Sequence, residues 1–135
     1  MAKKILVVDD EPAIVMMIKT RLTRAGYESV EAGSGSEALQ QARSERPDLI
    51  LLDVMMPPPN GYQVCRMLKD DPEFKSVPII LLTAKGSETD KFWGSEAGAD
   101  RYLTKPYNAQ ELMGVVAELL GDTAERIFGQ GEERP

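Results

Sequence analysis

The sequence contains no histidine and a single cysteine, Cys65, and these absences narrow the chemistry open to it. A disulfide framework, a zinc site of the Cys/His type, and a catalytic triad or proton shuttle built on histidine are all excluded. Carboxylates, hydroxyls and amines must therefore carry whatever chemistry the chain performs.

Long apolar runs and an excess of positive charge are also missing. No stretch of about 18 apolar residues occurs, so the sequence predicts no membrane span. The first apolar run, residues 5–8, is too short for the core of a signal peptide, so we expect a cytoplasmic protein. The 16 basic and 22 acidic residues give a formal charge of −6, which argues against direct binding to nucleic acid.

The chain has the size and composition of one folded domain. Its 135 residues are too few for two full-sized domains, and an apolar fraction of 42% is sufficient for a buried core. Because the sequence turns polar and glycine-rich near its end, we expect a domain over residues 1–121 and a short tail over residues 122–135.

Apolar runs alternate with stretches of helical periodicity along the chain. Strands are predicted over residues 4–8, 27–32, 48–53, 77–83 and 101–104. Helices are predicted over residues 12–25, 36–43, 61 to about 70, 86–97 and 109–120. Five strands alternating with five helices predict an α/β fold built on a doubly wound, five-stranded parallel sheet.

Apolar residues at helical spacing indicate which helix faces point to the core. In the first helix these residues are Ile14, Met17, Ile18 and Leu22. In the third helix they are Val64, Met67 and Leu68.

Polar residues stand at the ends of four predicted strands. Asp9 and Asp10 follow the first strand, Asp53 ends the third, Thr83 ends the fourth and Lys105 follows the fifth. The functional site of an open α/β sheet lies beyond the carboxyl ends of its strands, so we expect these side chains to share one pocket. A single aspartate at a strand end is usually a turn former or a helix cap, and the prediction depends on the joint occurrence.

The predicted pocket is suited to a cation and a phosphoryl group. Three carboxylates held close together repel one another, and oxygen ligands favour Mg²⁺. Thr83 and Lys105 could hold phosphate oxygens while a phosphoryl group is transferred to one carboxylate, for which Asp53 is the natural acceptor.

Four segments of the sequence resemble the receiver domain of bacterial response regulators. The segments are residues 5–11 (ILVVDDE), 48–57 (DLILLDVMMP) followed by Asn60-Gly61, 78–84 (PIILLTA) and 98–106 (GADRYLTKP). The resemblance covers about residues 3 to 120. It implies a flavodoxin-like (βα)5 fold with strand order 2-1-3-4-5 and a signalling role in a two-component system.

The resemblance also implies roles for individual residues. Asp53 would be phosphorylated, and Asp10, Asp53 and the backbone carbonyl of Met55 would bind Mg²⁺ with the assistance of Asp9. Lys105 would contact the phosphoryl group.

A change of surface would follow phosphorylation in this family. Thr83 would move to bond a phosphate oxygen, and Tyr102 would turn inward into the space that Thr83 leaves. The altered face would comprise the fourth predicted helix, the fifth strand and the last helix, and it would control the binding of a downstream protein.

The implied partners are proteins. Because the chain has no histidine, a histidine kinase, a phosphotransfer protein or a small acyl phosphate must donate the phosphoryl group. A receiver domain is a regulatory phosphoacceptor that catalyses only its own phosphorylation and dephosphorylation. We expect a monomer that binds neither nucleic acid nor membrane, and dimerisation on phosphorylation stays open.

Two features depart from the usual pattern of the family. Three consecutive prolines, Pro57 to Pro59, precede Asn60-Gly61, and they predict a stiff loop beside the phosphoacceptor. Trp93 lies where relatives often carry an exposed basic residue. It either folds onto its own helix or anchors a partner protein.

Several functions fit the pattern of these residues to different degrees. The chain could be a single-domain regulator like those of chemotaxis and motility, or the receiver fragment of a longer transcription regulator. A phosphatase of the haloacid-dehalogenase class would use an aspartate nucleophile with a second carboxylate two residues later, whereas here Asp9 is followed by Asp10 and Glu11, which make three carboxylates in a row. A flavin carrier would need a first loop that binds a phosphate group, but the acidic residues Asp9-Asp10-Glu11 in that loop would repel the phosphate.

Overall fold

The computed structural model describes residues 2–83, 96–105 and 107–121. The strands in these ranges are β1 (Lys4–Val8), β2 (Glu28–Ala32), β3 (Leu49–Asp53), β4 (Ile79–Thr83) and β5 (Arg101–Thr104). The helices are α1 (Pro12–Arg24), α2 (Gly35–Glu45), α3 (Gly61–Lys69) and α4 (Ala109–Leu120). Helix α4 is the fifth helix predicted from the sequence, and most of the predicted fourth helix lies outside the described residues.

The five strands form one parallel sheet in the order β2-β1-β3-β4-β5. The α/β fold class and the strand order expected from the sequence are therefore confirmed. The paired residue of Thr83 is Thr104, and Val8 lies between Ala32 and Leu52. All strands run in the same direction, so the carboxyl ends of β1, β3, β4 and β5 meet at one edge of the sheet.

Alternate strand residues enter two apolar layers, one on each face of the sheet. Ile5 and Val7 pack with the inner faces of α1 and α4, while Leu6 and Val8 pack with those of α2 and α3. Strands β3 and β4 are buried along their whole length, as continuous apolar runs in a parallel sheet predict. This double layer holds the strands rigidly and fixes where their polar end residues lie.

The inner faces of two helices differ from the prediction at their methionines. Helix α1 buries Val15, Ile18 and Leu22, whereas Met17 is 49% exposed. In α3 the residue Met67 is likewise 50% exposed. Neighbouring helix residues lie about 100° apart around the axis, so an apolar residue next to a core position can still face outward.

Side-chain capping explains where helices α2 and α4 begin. Helix α2 starts at Gly35 because the Ser34 side chain accepts a hydrogen bond from the backbone N–H of Glu37. The Asn108 side chain accepts the corresponding bond from the backbone N–H of Glu111 at the start of α4. None of the helices in the described ranges is long and apolar enough to cross a membrane.

Candidate functional site

Three aspartates meet at the carboxyl edge of the sheet. Asp9 and Asp10 follow β1 and Asp53 ends β3, and one carboxylate oxygen from each lies within 4.8 Å of those from the other two. Asp9 and Asp53 are each only 2% exposed, whereas Asp10 is exposed to solvent. The structure thus brings together the three carboxylates that the sequence placed at this edge.

Lys105 lies against two of these carboxylates. Its Nζ is 3.0 Å from Oδ1 of Asp53 and 3.8 Å from Oδ2 of Asp9. The backbone N–H of Lys105 donates to the carbonyl oxygen of Thr83 at 2.7 Å, which ties the end of β5 to the end of β4. Lys105 therefore interacts more closely with Asp53 than with Asp9.

Burial dominates the electrostatics of the cluster. It raises the pKa of Asp9, against the lowering effect of the Glu11 backbone N–H, and the charge of Asp53 raises it further. Burial likewise raises the pKa of Asp53, although the hydrogen bond and the charge of Lys105 oppose it. Burial alone would lower the pKa of Lys105, but the bond to Asp53 and the nearby negative charges raise it above its usual value. The ammonium form of Lys105 is thus favoured.

The donor set fits a divalent cation. Oδ1 of Asp9 accepts the backbone N–H of Glu11 at 2.9 Å, but the buried Oδ2 has no hydrogen-bond partner among the described residues. When all groups are ionised, the three carboxylates and the ammonium of Lys105 leave two negative charges uncompensated. A small dication that prefers oxygen ligands, such as Mg²⁺, would satisfy both the unpartnered oxygen and the excess charge.

A single backbone carbonyl group closes the loop after Asp53 by accepting two hydrogen bonds. The carbonyl oxygen of Val54 accepts the backbone N–H of Met56 at 3.0 Å and that of Gly61 at 3.2 Å. A backbone hydrogen bond from Met55 to the Asp53 carboxylate lowers the pKa of Asp53, in opposition to burial. A Cβ atom at Gly61 would collide with the carbonyl oxygen of Asp53, which explains why glycine begins α3.

The two residues expected to move on phosphorylation lie on the same face of the sheet. Thr83 is buried at the end of β4, and Tyr102 is 37% exposed on β5. Leu81 pairs with Tyr102 and Thr83 with Thr104, so side chains two residues apart on each strand share that face. Trp93 lies outside the described ranges.

Two residues near the cluster were not singled out from the sequence. Tyr107 is half-buried, and burial raises its pKa while Lys105 opposes the shift. The sequence feature that could have identified Tyr107 is its position two residues after Lys105.

The second residue, Met16 of α1, is 69% exposed and lines a surface cavity of about 630 Å³ together with Asp9 and Asp10. This opening thus leads from the face of α1 to Asp9 and Asp10.

Known proteins of one family match this chain. Residues 5–117 match the sequence profile of the response regulator receiver domain. The alkaline phosphatase synthesis transcriptional regulatory protein PhoP of Bacillus subtilis is 48% identical over 120 residues, which make up 89% of this chain and 49% of PhoP. Protein PilH of Pseudomonas aeruginosa is 38% identical over 117 residues, covering 87% of this chain and 97% of PilH.

The chain spans about half the length of PhoP and of several other transcriptional regulators that it matches, but nearly all of PilH. A solved structure adds a comparison at the site itself. The receiver domain of the sensor histidine kinase PA1611 from Pseudomonas aeruginosa superimposes with a TM-score of 0.82 at 31% identity, over 90% of this chain and 100% of that domain. That structure has a magnesium ion coordinated in its active site cleft.

Proposed function

The chain belongs to the response regulator receiver domain family, and on this basis we propose that it is a phosphorylation-controlled switch with Asp53 as its phosphoacceptor. One observation carries the proposal: Asp53 is buried among carboxylates, with the ammonium of Lys105 3.0 Å from its Oδ1. A phosphoryl group on Asp53 would therefore be formed beside a fixed positive charge.

The transfer is a displacement at phosphorus. A carboxylate oxygen of Asp53 forms a bond to phosphorus as the bond from phosphorus to the donor breaks, and the electron pair of that bond leaves with the donor. The donor is the phosphohistidine of a kinase or phosphotransfer protein, or a small acyl phosphate. Lys105 contacts one oxygen of the transferred group and Thr83 donates its hydroxyl hydrogen to another, so both stabilise negative charge as it shifts.

Mg²⁺ is the proposed cofactor. Asp10, Asp53 and the backbone carbonyl of Met55 would hold the ion, with Asp9 assisting, and the ion would neutralise charge on the phosphoryl oxygens. The buried, unpartnered Oδ2 of Asp9 and the uncompensated negative charge of the cluster support this assignment. The magnesium ion in the related PA1611 receiver domain supports it as well.

The output of the switch is a change of surface. Movement of Thr83 toward the phosphoryl group lets Tyr102, which is exposed in this structure, turn inward. The changed face comprises β5 and α4, together with the fourth helix expected from the sequence, and it controls the binding of a downstream protein. Dephosphorylation at Asp53, catalysed by the same pocket, resets the switch. We further propose that the protein acts in the cytoplasm of a bacterial cell.

Trp93, which the sequence predicts to lie in the fourth helix, is proposed to anchor the downstream partner. The Trp93→Ala variant is then expected to bind its partner more weakly while accepting the phosphoryl group as well as the unmodified chain. Equal partner binding by the variant and the unmodified chain would contradict this assignment.

The similarity to PhoP supports a second proposal, that the switch is the receiver part of a longer transcriptional regulator. The similarity to PilH, which is matched over 97% of its length, supports the alternative of a single-domain regulator like those of chemotaxis and motility. The two proposals share the same phosphoacceptor chemistry and differ in what the altered face contacts.

The phosphoacceptor assignment is tested by intact mass after incubation with Mg²⁺ and acetyl phosphate. The unmodified chain should gain one phosphoryl group, and the Asp53→Asn variant should gain none. Asp70→Asn is the matched control, because Asp70 is exposed at the end of α3 and pairs with Arg66. Phosphorylation of Asp53→Asn, or an increment that survives removal of Mg²⁺ by a chelator, would contradict the proposal.

A further inference from the structure

The loop between β3 and α3 rests on the first turn of α2. This proline loop, residues 55–60, contains the three consecutive prolines of the sequence. A methyl group at Gly35 would collide with the carbonyl oxygen of Pro59 and lie 2.9 Å from its Cγ and 3.0 Å from Cγ2 of Val64. The first of these neighbours is backbone and cannot rotate away, so any residue larger than glycine at position 35 must shift the loop relative to the first turn of α2.

Both ends of the proline loop are fixed by hydrogen bonds. At its start the carbonyl oxygen of Val54 accepts the N–H groups of Met56 and Gly61. At its end the N–H of Asn60 donates to Oε1 of Gln63 at 2.7 Å, and the N–H of Gln63 donates to Oδ1 of Asn60 at 3.0 Å. The proline rings between these anchors restrict backbone rotation. A displacement at Pro59 is therefore transmitted along the loop, because few dihedral angles are free to absorb it.

The start of the loop adjoins the acidic cluster. The side chains of Val54 and Met56 are buried, while that of Met55 is 66% exposed, so the Met55 backbone lies at the boundary between the core and the site. The Met55 backbone also hydrogen-bonds the Asp53 carboxylate. A shift of the Met55 peptide group would thus change the position of a site carboxylate and of the carbonyl proposed as a cation ligand.

We infer that Gly35 is a positioning residue for the cation site, because its lack of a side chain allows the proline loop to seat against α2 and hold the Met55 backbone beside Asp53. The inference rests on the proposed function, since the cation site is part of it. Gly35 touches neither the cation nor the carboxylates and acts only through Pro59 and the loop.

The test is the Mg²⁺ affinity of the unphosphorylated full chain, measured by titration calorimetry. Groups that orient metal ligands commonly change affinity by 10- to 100-fold, so Gly35→Ala is expected to raise the Kd for Mg²⁺ about tenfold. Gly33→Ala is the matched control in the same segment, because the nearest atom to its added methyl group, Oε1 of Glu37, is 3.6 Å away. This control should keep the Kd of the unmodified chain.

A second variant covers the case in which Gly35→Ala fails to fold. Gln63 is exposed, so Gln63→Ala removes its bond to the Asn60 N–H and loosens the far anchor of the loop without opening the core. Its Kd should rise by a smaller factor. A folded Gly35→Ala with an unchanged Kd overturns the inference, and so does an unchanged Kd for Gln63→Ala where Gly35→Ala does not fold. If the unmodified chain binds no Mg²⁺, the cation site of the proposed function fails, and the inference fails with it.

Discussion

The two oxygens of the Asp9 carboxyl group lie in different environments. Its Oδ1 accepts a backbone hydrogen bond from Glu11, whereas its Oδ2 is buried without a hydrogen-bond partner in the described part of the chain. The Nζ of Lys105 is 3.8 Å from that oxygen, which is too far for a strong hydrogen bond. The ionised form of Asp9 therefore opposes folding, which agrees with the proposal that this residue serves cation binding rather than stability.

The Asp9→Asn variant is expected to be more stable than the unmodified chain at pH 7 without Mg²⁺. The gain should be about 1 kcal/mol in the free energy of unfolding, on the scale of one buried polar group left unsatisfied. Because the pKa of Asp9 is raised in the folded protein, its ionised form is penalised at neutral pH and the penalty is absent below the unfolded pKa of about 3.9. The gain should shrink as the pH falls toward 4.

Urea denaturation between pH 4 and pH 8 measures this effect. Asp70→Asn serves as the control, because Asp70 lies at the surface and its ion pair with Arg66 is largely exposed. A gain of equal size at pH 4 and pH 7 would show that ionisation of Asp9 is not its cause.

The sequence predicts which residues form the site better than it predicts which of these residues contact one another. Asp9, Asp10, Asp53 and Lys105 could be placed together because each stands at the end of a strand in a parallel sheet. The closer approach of Lys105 to Asp53 than to Asp9 depends on the path of the chain after β5. The half-buried position of Tyr107 depends on the same path, and no periodicity in the sequence encodes it.

At the level of elements, the strands are predicted more accurately than the helix faces. Strands β3 and β4 are continuous apolar runs, and their burial follows directly from that pattern. Helix α1 carries apolar residues at six successive positions, from Ala13 to Ile18, so more than one inner face fits the pattern. The packed sheet, rather than the helix itself, selects Val15, Ile18 and Leu22.

Two substitutions in α1 are expected to distinguish its inner face from its outer face by their effects on the free energy of unfolding. Ile18 is fully buried, so Ile18→Ala should lower the free energy of unfolding by about 2–5 kcal/mol through the cavity it leaves. The adjacent Met17 is half exposed, and Met17→Ala should change the free energy by about 0.5 kcal/mol or less. Chemical denaturation of both variants gives the two values. Equal losses would contradict the assignment of the inner face.

At the level of the whole molecule, the edge opposite the site also carries a polar connection. The Nζ of Lys69 in α3 lies 2.8 Å from Oδ2 of Asp100 and donates to the carbonyl oxygen of Val77 at 2.7 Å. The same oxygen of Asp100 accepts the backbone N–H of Ile79 at 2.9 Å. These contacts hold the starts of β4 and β5 in register, and strands of fixed length then place Thr83 and Lys105 side by side at the other edge.

The cation and pH are expected to control the stability of the whole domain jointly. Burial raises the pKa of both Asp9 and Asp53, so the folded state binds more protons than the unfolded state in the pH range above about 4. Without a cation, the free energy of unfolding should therefore fall as the pH rises through that range.

Mg²⁺ should reverse much of this loss, because it binds the ionised carboxylates. At a free concentration 100 times the Kd, a ligand of the folded state adds about 2.7 kcal/mol to the free energy of unfolding. This gain should be present at pH 7 and shrink toward pH 4, where protons compete for the same oxygens. Urea denaturation with and without Mg²⁺ measures it, and Asp53→Asn should show a much smaller gain. An equal gain at both pH values, or in that variant, would place the bound ion elsewhere than at the aspartate cluster.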